Sequence, residues 1–148
     1  MDANEKLIKI LGACDALVGY APMGDEPDAG EFLKTHAILA HGSSVLPLKN
    51  LSPQKSAQEL LSRHLGKKVC IFIPGRAFDK SGTRHGRGGG WYDRFLSALP
   101  KEWIRIGVAS SREIHEDGLE RQPWDEPVDF ILVKDGTWSV VHTNARVL

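Results

Sequence analysis

A short stretch of glycine and arginine in the second half of the chain, RHGRGGGWYD, holds residue types that bind phosphate. Four of its residues have no side chain to keep an anion away from the backbone N–H groups: Gly86, Gly88, Gly89 and Gly90. Arg84 and Arg87 supply forked guanidinium donors for the same phosphate oxygens. The stretch is therefore predicted to form a phosphate-binding loop over residues 84–93.

An acidic residue at the end of this loop indicates which kind of phosphate would bind. A helix is predicted over residues 91–99, so Asp93 lies in its first turn. A carboxylate there would repel a polyphosphate unless a divalent cation lies between the two groups. The sequence therefore predicts a magnesium–nucleotide complex, rather than bare phosphate, as the ligand.

Two other interpretations of the loop stay open at this point. A glycine-rich loop with arginines is often an ordinary surface turn, and a glycine pattern alone is a weak signal. The RGG-like run that begins at Arg87 also fits a small RNA-binding module, because such segments follow phosphate backbones. That run occurs once, in a chain whose charges balance, which disfavours RNA as the partner.

Short apolar runs alternate with segments of helical periodicity, which predicts an α/β domain with a mainly parallel sheet. Strands are predicted at residues 15–21, 44–48, 69–73, 104–109 and 128–133, with an antiparallel edge strand at 138–142. Helices are predicted at residues 30–40, 53–65 with Ser52 as the cap and Gly66 as the stop, and 91–99. The loop follows the strand at 69–73, and ligands of open α/β sheets gather at the carboxyl ends of strands.

Composition limits the classes of partner. A chain of 148 residues is expected to form one domain over residues 1–148. Its 19 basic and 19 acidic side chains balance, so neither nucleic acid nor an anionic membrane is an expected partner. The apolar runs are too short to span a bilayer, and a cytoplasmic protein is expected. Cys14 and Cys70 are isolated in the sequence, which predicts buried free thiols.

The residues around the loop resemble a known family. The segment PGRAFDKSGTRHGRGGGWYDRFL is similar to the signature of 5-formyltetrahydrofolate cyclo-ligases, approximately PGxAFDxxGxRxGxGGGYYDRxL. The likeness continues at residues 106–109 and 124–129 and covers roughly residues 15–133, with a gap. It implies a three-layer α/β fold of the NagB/RpiA/CoA-transferase type.

The resemblance also implies roles for individual residues. The nucleotide-binding residues would be Arg84, His85, Gly86, Arg87, Gly88, Gly89, Gly90, Trp91 and Tyr92. The folate substrate would contact Glu26, Arg87, Gly88, Gly89, Gly90 and Trp91, with Arg87 and Glu26 as the catalytic residues. Asp93 and Asp125 would hold Mg²⁺. Trp91 replaces the tyrosine usual in the family and keeps a flat face for stacking on a pterin.

The implied reaction is the ATP-dependent cyclisation of 5-formyltetrahydrofolate to 5,10-methenyltetrahydrofolate, with ATP, Mg²⁺ and folate as the only partners of a monomer or weak homo-oligomer. Two departures from the family leave an alternative open. The basic helix that usually precedes the first strand is short, with Lys6 or Lys9 as candidate replacements, and the middle of the chain lacks residues that wall the folate site. The alternative is therefore a relative that binds magnesium–nucleotide without folate chemistry.

The remaining polar and aromatic residues are interpreted as structural. Three tryptophans are expected to pack in the core or at a rim: Trp103, Trp124 and Trp138. His85 is as consistent with a solvated loop position as with phosphate contact, and Asp79 is predicted to cap a turn. His36 and His41 have poor spacing for a metal and are assigned no role.

Overall fold

The computed structural model describes residues 1–38, 44–46 and 51–146. Its helices are α1 (Ala3–Ala13), α2 (Ala29–Thr35), α3 (Pro53–Arg63) and α4 (Trp91–Ser97), with a 3-10 turn at Ser111–Glu113. Its strands are β1 (Ala16–Tyr20), β2 (Ser44–Leu46), β3 (Val69–Pro74), β4 (Ala77–Phe78), β5 (Arg84–His85), β6 (Ile104–Ser110), β7 (Phe130–Asp135) and β8 (Thr137–His142). None of the helices in these segments has the length and apolar character needed to cross a bilayer.

The main sheet has six strands in the order β2-β1-β3-β6-β7-β8. All neighbouring pairs are parallel except β7 and β8, which form an antiparallel hairpin with Trp138 opposite Lys134. The predictions of an α/β fold with a mainly parallel sheet and of an antiparallel edge strand are confirmed. A separate antiparallel pair, β4 with β5, was not predicted from the sequence; it follows β3, and β5 comprises the first two residues of the predicted loop.

Helices cover both faces of the sheet because side chains alternate along each strand. Along β3, Ile71 and Ile73 join one apolar cluster and Phe72 joins the other. The first cluster includes residues of α3 and α4, and the second includes residues of α1 and α2. The result is three layers, with α1 and α2 on one face and α3 and α4 on the other.

Local signals set the ends of the helices. The Ser52 hydroxyl accepts a hydrogen bond from the N–H of Lys55, as predicted, and Pro53 occupies the start of α3. This helix ends at Arg63, before the predicted stop at Gly66, and α4 ends at Ser97 rather than at residue 99. The predicted helix at 30–40 is too long, because α2 ends at Thr35 and residues 36–38 are described and not helical. The predicted end of the strand at 44–48 lies outside the described residues.

The amino-terminal helix α1 is an element that the sequence reading did not delimit. Asp2 caps it by accepting a hydrogen bond from the N–H of Glu5, at 2.8 Å. Leu7 and Leu11, one turn apart, are buried in the α1–α2 layer. Packing against the sheet, with β8 as its main neighbour, therefore holds this short segment in place.

The prediction of two free thiols is wrong. Cys14 follows α1 and Cys70 lies in β3, and a disulfide joins them, with the two Cα atoms 6.5 Å apart. The residues are separated by 56 positions, and only the packing of α1 against the sheet brings them together. Sequence spacing carries no information on that contact.

Candidate functional site

A cavity of about 460 Å³ opens at the carboxyl ends of β1 and β3. Its walls come from five parts of the chain: the end of β1 with the segment after it, the end of β2, the end of β3, the loop from β5 into α4, and residues 124–125. Eleven of the predicted site residues line it: Glu26, Arg84, His85, Gly86, Arg87, Gly88, Gly90, Trp91, Tyr92, Asp93 and Asp125. Gly89 lines a second, adjoining cavity that shares Gly90, Asp93 and Trp124 with the first.

Arg84 forms the floor of the glycine-rich loop. Its side chain is nearly buried, its Nε donates to the carbonyl oxygen of Pro74 at 2.6 Å, and its guanidinium lies 4.7 Å from the centre of the Tyr92 ring. Burial lowers the pKa of Arg84, and the negative charge of Asp93 opposes that shift. Among the described residues no acceptor pairs with its two terminal nitrogens, so these donors are available to an anion.

The glycines of the loop serve two different purposes. Gly88, Gly89 and Gly90 have φ angles of 98°, 77° and 66°, in the region that L-residues disfavour. Gly86 is not among the glycines with a positive φ. A Cβ at Gly86 would lie 3.1 Å from Nη2 of Arg84, so this glycine leaves room for the guanidinium instead.

Glu26 and Arg87 meet across the cavity although they are far apart in the sequence. Their side-chain atoms Oε2 and Nη2 are 3.6 Å apart, and the Glu26 side chain is only 11% exposed against 58% for Arg87. The second carboxylate oxygen of Glu26 accepts a hydrogen bond from the N–H of Met23 at 2.8 Å, which fixes its direction. The structure thus pairs the two residues that the resemblance designates as catalytic.

Asp93 and Asp125 lie at the same end of the cavity. Asp93 Oδ1 accepts a hydrogen bond from the N–H of Glu126 at 3.0 Å, and Asp125 Oδ2 accepts one from the N–H of Gln122 at 2.8 Å. Burial raises the pKa of Asp93, with a further contribution from the charge of Asp125, while the Glu126 N–H and Arg84 lower it. Two carboxylates that line one cavity beside a glycine-rich loop suit a divalent cation, which would neutralise their charge.

The donor set fits magnesium better than a metal that requires a complete protein cage. In the segments that the structure describes, no group of three histidine, cysteine or acidic side chains is placed to hold a metal ion. Magnesium commonly binds one or two carboxylates together with substrate phosphates and several waters. Asp93 and Asp125 beside the glycine loop match that requirement.

Seven residues that line the cavity were not among the predicted site residues: Tyr20, Ala21, Met23, Leu46, Pro74, Gly75 and Trp124. The Tyr20 hydroxyl donates to the carbonyl oxygen of Pro27 at 2.8 Å, and burial together with the charge of Glu26 raises the pKa of Tyr20. Trp124 is 68% exposed and lines the cavity. Of the two predicted positions for this residue, the core and a rim, it therefore occupies a rim. Position at the carboxyl end of β1 was the signal for Tyr20, and the proximity of Asp125 was the signal for Trp124.

Several other residues have structural partners. His85 Nε2 is 2.6 Å from the carbonyl oxygen of Glu120, and Asp79 Oδ1 accepts from the N–H groups of Ser81 and Thr83, as a turn cap should. Trp103 is buried in the core and Trp138 packs beside Phe32. His36 lies at the end of α2 near Phe32, whereas His41 is outside the described residues.

Neither candidate lysine of α1 lines the cavity in the described part of the chain. The charge of Lys6 acts instead on His142, which pairs with Phe130 at the start of β7. That end of the sheet is opposite to the carboxyl ends of the parallel strands. The expectation that Lys6 or Lys9 replaces a basic residue of the phosphate site therefore finds no support from their position.

The chain is similar in sequence to known proteins. Residues 33–134 match the model of the 5-formyltetrahydrofolate cyclo-ligase family. A 5-formyltetrahydrofolate cyclo-ligase of Mycoplasma genitalium is 41% identical over 63 residues, which is 43% of this chain and 37% of that protein. One of Haemophilus influenzae is 39% identical over 82 residues, which is 55% of this chain and 42% of that protein. The matches thus span well under half of these relatives.

Solved structures share the fold at lower identity. A 5,10-methenyltetrahydrofolate synthetase of Mycoplasma pneumoniae superposes with a TM-score of 0.57 and 23% identity, covering 87% of this chain and 80% of that one. The NMR structure of a 5,10-methenyltetrahydrofolate synthetase of Aquifex aeolicus gives a TM-score of 0.56 and 20% identity, covering 90% and 81%. At these identities the comparison establishes the α/β fold.

Proposed function

Because the chain belongs to the 5-formyltetrahydrofolate cyclo-ligase family, we propose that it catalyses the ATP-dependent cyclisation of 5-formyltetrahydrofolate to 5,10-methenyltetrahydrofolate. ADP and phosphate are the other products. The observation that carries the proposal is the cavity, in which segments distant in sequence bring together hydrogen-bond donors for phosphate, two carboxylates and a buried glutamate. Each group matches a requirement of this reaction.

We assign phosphate binding to the glycine-rich loop and to Arg84, which lies beneath it. The terminal nitrogens of Arg84 face the glycine segment from below, and Arg87 extends from its exposed side. The backbone N–H groups of residues 88–90, in left-handed conformation, complete a concave donor surface for the nucleotide phosphates. Magnesium, held by Asp93 and Asp125, would neutralise phosphate charge in the same cavity.

The chemistry requires activation of a poor leaving group. The formyl oxygen of the substrate attacks the γ-phosphorus of ATP and expels ADP, which gives an imidate phosphate. The N10 amine then adds to the activated formyl carbon and loses its proton, and phosphate leaves, which gives the closed methenyl ring. In such phosphoryl transfers the protein acts mainly through positioning and charge stabilisation.

Glu26 and Arg87 are assigned to the reacting end of the substrate. The Glu26 carboxylate is nearly buried and fixed by the Met23 N–H, so it can orient the formyl-bearing end. Arg87 lies beside it and can hold the phosphoryl group as charge moves onto the formyl oxygen. Trp91, which stacks on Phe95 with ring centres 5.1 Å apart, provides a supported aromatic surface for the pterin.

A second candidate function is magnesium–nucleotide binding without folate chemistry. Its support is that the matched segments span only 37% and 42% of the two bacterial relatives, so parts that wall their folate sites need not have counterparts here. The proposal also includes a single domain over residues 1–148, a monomer or weak homo-oligomer, and a cytoplasmic location. None of these three points depends on the cavity.

Steady-state formation of the methenyl product at saturating magnesium–ATP tests the proposal, with its absorbance as the readout and Asp93→Asn as the blank. Arg84→Met and Arg87→Met should each weaken ATP binding at least about tenfold, because a charge-assisted hydrogen bond contributes ~1.5–3 kcal/mol. Arg63→Met, on the exposed face of α3, is the matched control and should bind ATP normally.

We expect detectable cyclisation that keeps rising at folate concentrations where a longer relative saturates. A rate equal to that of the blank at millimolar folate, together with normal ATP binding, would select the nucleotide-binding alternative. Wild-type ATP affinity in both cavity variants would show that the loop is not the phosphate site.

A further inference from the structure

Arg105 is a fully buried cation that lies outside the cavity. It belongs to β6, only 1% of the residue is exposed, and it does not line either cavity among the described residues. Burial lowers the pKa of Arg105, and the charge of Glu126 opposes that effect. A buried guanidinium is costly unless it has partners of good geometry, so its contacts indicate what it holds.

Those contacts join the two elements that carry Asp93 and Asp125. Nη2 of Arg105 donates to the carbonyl oxygen of Leu96 at 3.2 Å, in the last turn of α4 and one turn beyond Asp93. Nη1 donates to the carbonyl oxygen of Pro127 at 3.3 Å, two residues after Asp125. One side chain therefore fixes α4 relative to the segment that carries the second carboxylate.

Glu126 links Arg105 to Asp93 on the side of the cavity. Its Oε2 lies 3.5 Å from Nη1 of Arg105, and its backbone N–H donates to Asp93 Oδ1 at 3.0 Å. The Glu126 side chain is 15% exposed, so the ion pair with Arg105 is largely shielded from water. Lys101 also approaches Glu126, at 3.4 Å, but its side chain is 68% exposed and a strong contribution is not expected.

We propose that Arg105, acting through Glu126, sets the separation and direction of Asp93 and Asp125 and is thereby a positioning residue for the magnesium ion. The inference rests on the metal role that the proposed function gives to these two carboxylates. A forked guanidinium suits this task because it reaches two carbonyl oxygens and a carboxylate at once, whereas a lysine ammonium is a single point. Residues that orient metal ligands typically change metal affinity by about 10–100-fold when mutated.

The test is Mn²⁺ binding measured by electron paramagnetic resonance, with a non-hydrolysable ATP analogue present. Glu126→Ala keeps the backbone N–H that contacts Asp93 and removes only the side chain, and Arg105→Lys keeps the charge and removes the fork. Each should weaken Mn²⁺ binding by about tenfold, while the affinity for the metal-free analogue stays within about twofold of wild type. Glu126→Gln, which can still accept from Arg105, should restore most of the affinity.

Lys101→Met is the matched control, because it removes the exposed partner of the same carboxylate, and it should leave Mn²⁺ binding unchanged. Circular dichroism establishes that each variant is folded, and Glu126→Ala decides the question if Arg105→Lys does not fold. Normal Mn²⁺ affinity in folded Glu126→Ala would overturn the positioning role while the metal site stands. Absence of nucleotide-dependent Mn²⁺ binding in the wild type would overturn the metal site and the positioning role together.

Discussion

Arg146, the last residue that the structure describes, should contribute more to stability than any exposed ion pair. Its Nε and Nη2 donate to the two carboxylate oxygens of Asp129, both at 2.7 Å. Its other contacts are to the carbonyl oxygens of Lys101, at 2.7 Å, and Trp103, at 3.1 Å. The Asp129 side chain is 1% exposed and that of Arg146 is 19% exposed, so the pair is shielded from solvent.

Arg146→Met keeps much of the apolar stem and removes all four hydrogen bonds. Loss of one partner from a buried ion pair costs about 3–5 kcal/mol, because the other charge is left without compensation. Asp129 still accepts from the N–H of Arg105 at 2.9 Å, so we expect the lower end, about 3 kcal/mol. In a chain of this size that loss corresponds to a decrease in Tm of roughly 6–12 °C.

Urea unfolding followed by circular dichroism measures the loss, and Arg63→Met provides the comparison. Arg63 pairs with Glu59 across one helical turn at 3.1 Å, with both side chains nearly half exposed, so its removal should cost about 0.5 kcal/mol or less. The double variant with Asp129→Asn should lose less than the sum of the two single variants, since each removes the same contact. Equal losses of stability from Arg146→Met and Arg63→Met would show that burial does not strengthen the Arg146–Asp129 pair.

Three further predictions concern single contacts. Burial raises the pKa of Asp93, so the ionised carboxylate destabilises the folded protein when no magnesium is bound. Asp93→Asn should therefore raise Tm at pH 7 without magnesium. In a pH series of thermal melts, this gain should vanish below about pH 4, where Asp93 is protonated in both the folded and the unfolded protein. Tyr20→Phe leaves the carbonyl oxygen of Pro27 without its donor and should cost about 1 kcal/mol in urea unfolding. Burial lowers the pKa of His64, so wild-type stability should fall as the pH drops below about 6.5, and the same melts should show a smaller fall in His64→Gln.

Local sequence signals predicted the elements that depend on near neighbours. The Ser52 cap, the apolar strand at 69–73 and the helix that starts at Trp91 all appear within a few residues of the predicted bounds. Each depends on a capping residue, a short apolar run or a glycine boundary, which a window of about ten residues contains. The glycine-rich loop also lies where it was predicted, after β3, because ligand-binding loops of open α/β sheets follow the carboxyl ends of strands.

Contacts between distant segments could not be predicted from local sequence signals. Nothing near Arg84 in the sequence shows that its guanidinium lies beneath Gly86 and over Tyr92, or that Arg105 reaches α4. The Cys14–Cys70 contact depends on the path of α1 across the sheet, which spacing cannot give. Arginine is usually exposed, so its type favours a surface position until the packing is known.

At the open side of the glycine-rich loop, the space for a side chain and the handedness of the backbone impose different requirements. A Cβ added at Gly88 or Gly89 would meet no atom within 4 Å, so volume excludes nothing there. The φ angles of 98° and 77° nevertheless disfavour every L-residue that carries a side chain. The conformation of the protein chain itself therefore favours an achiral residue at these two positions, whatever ligand the loop binds.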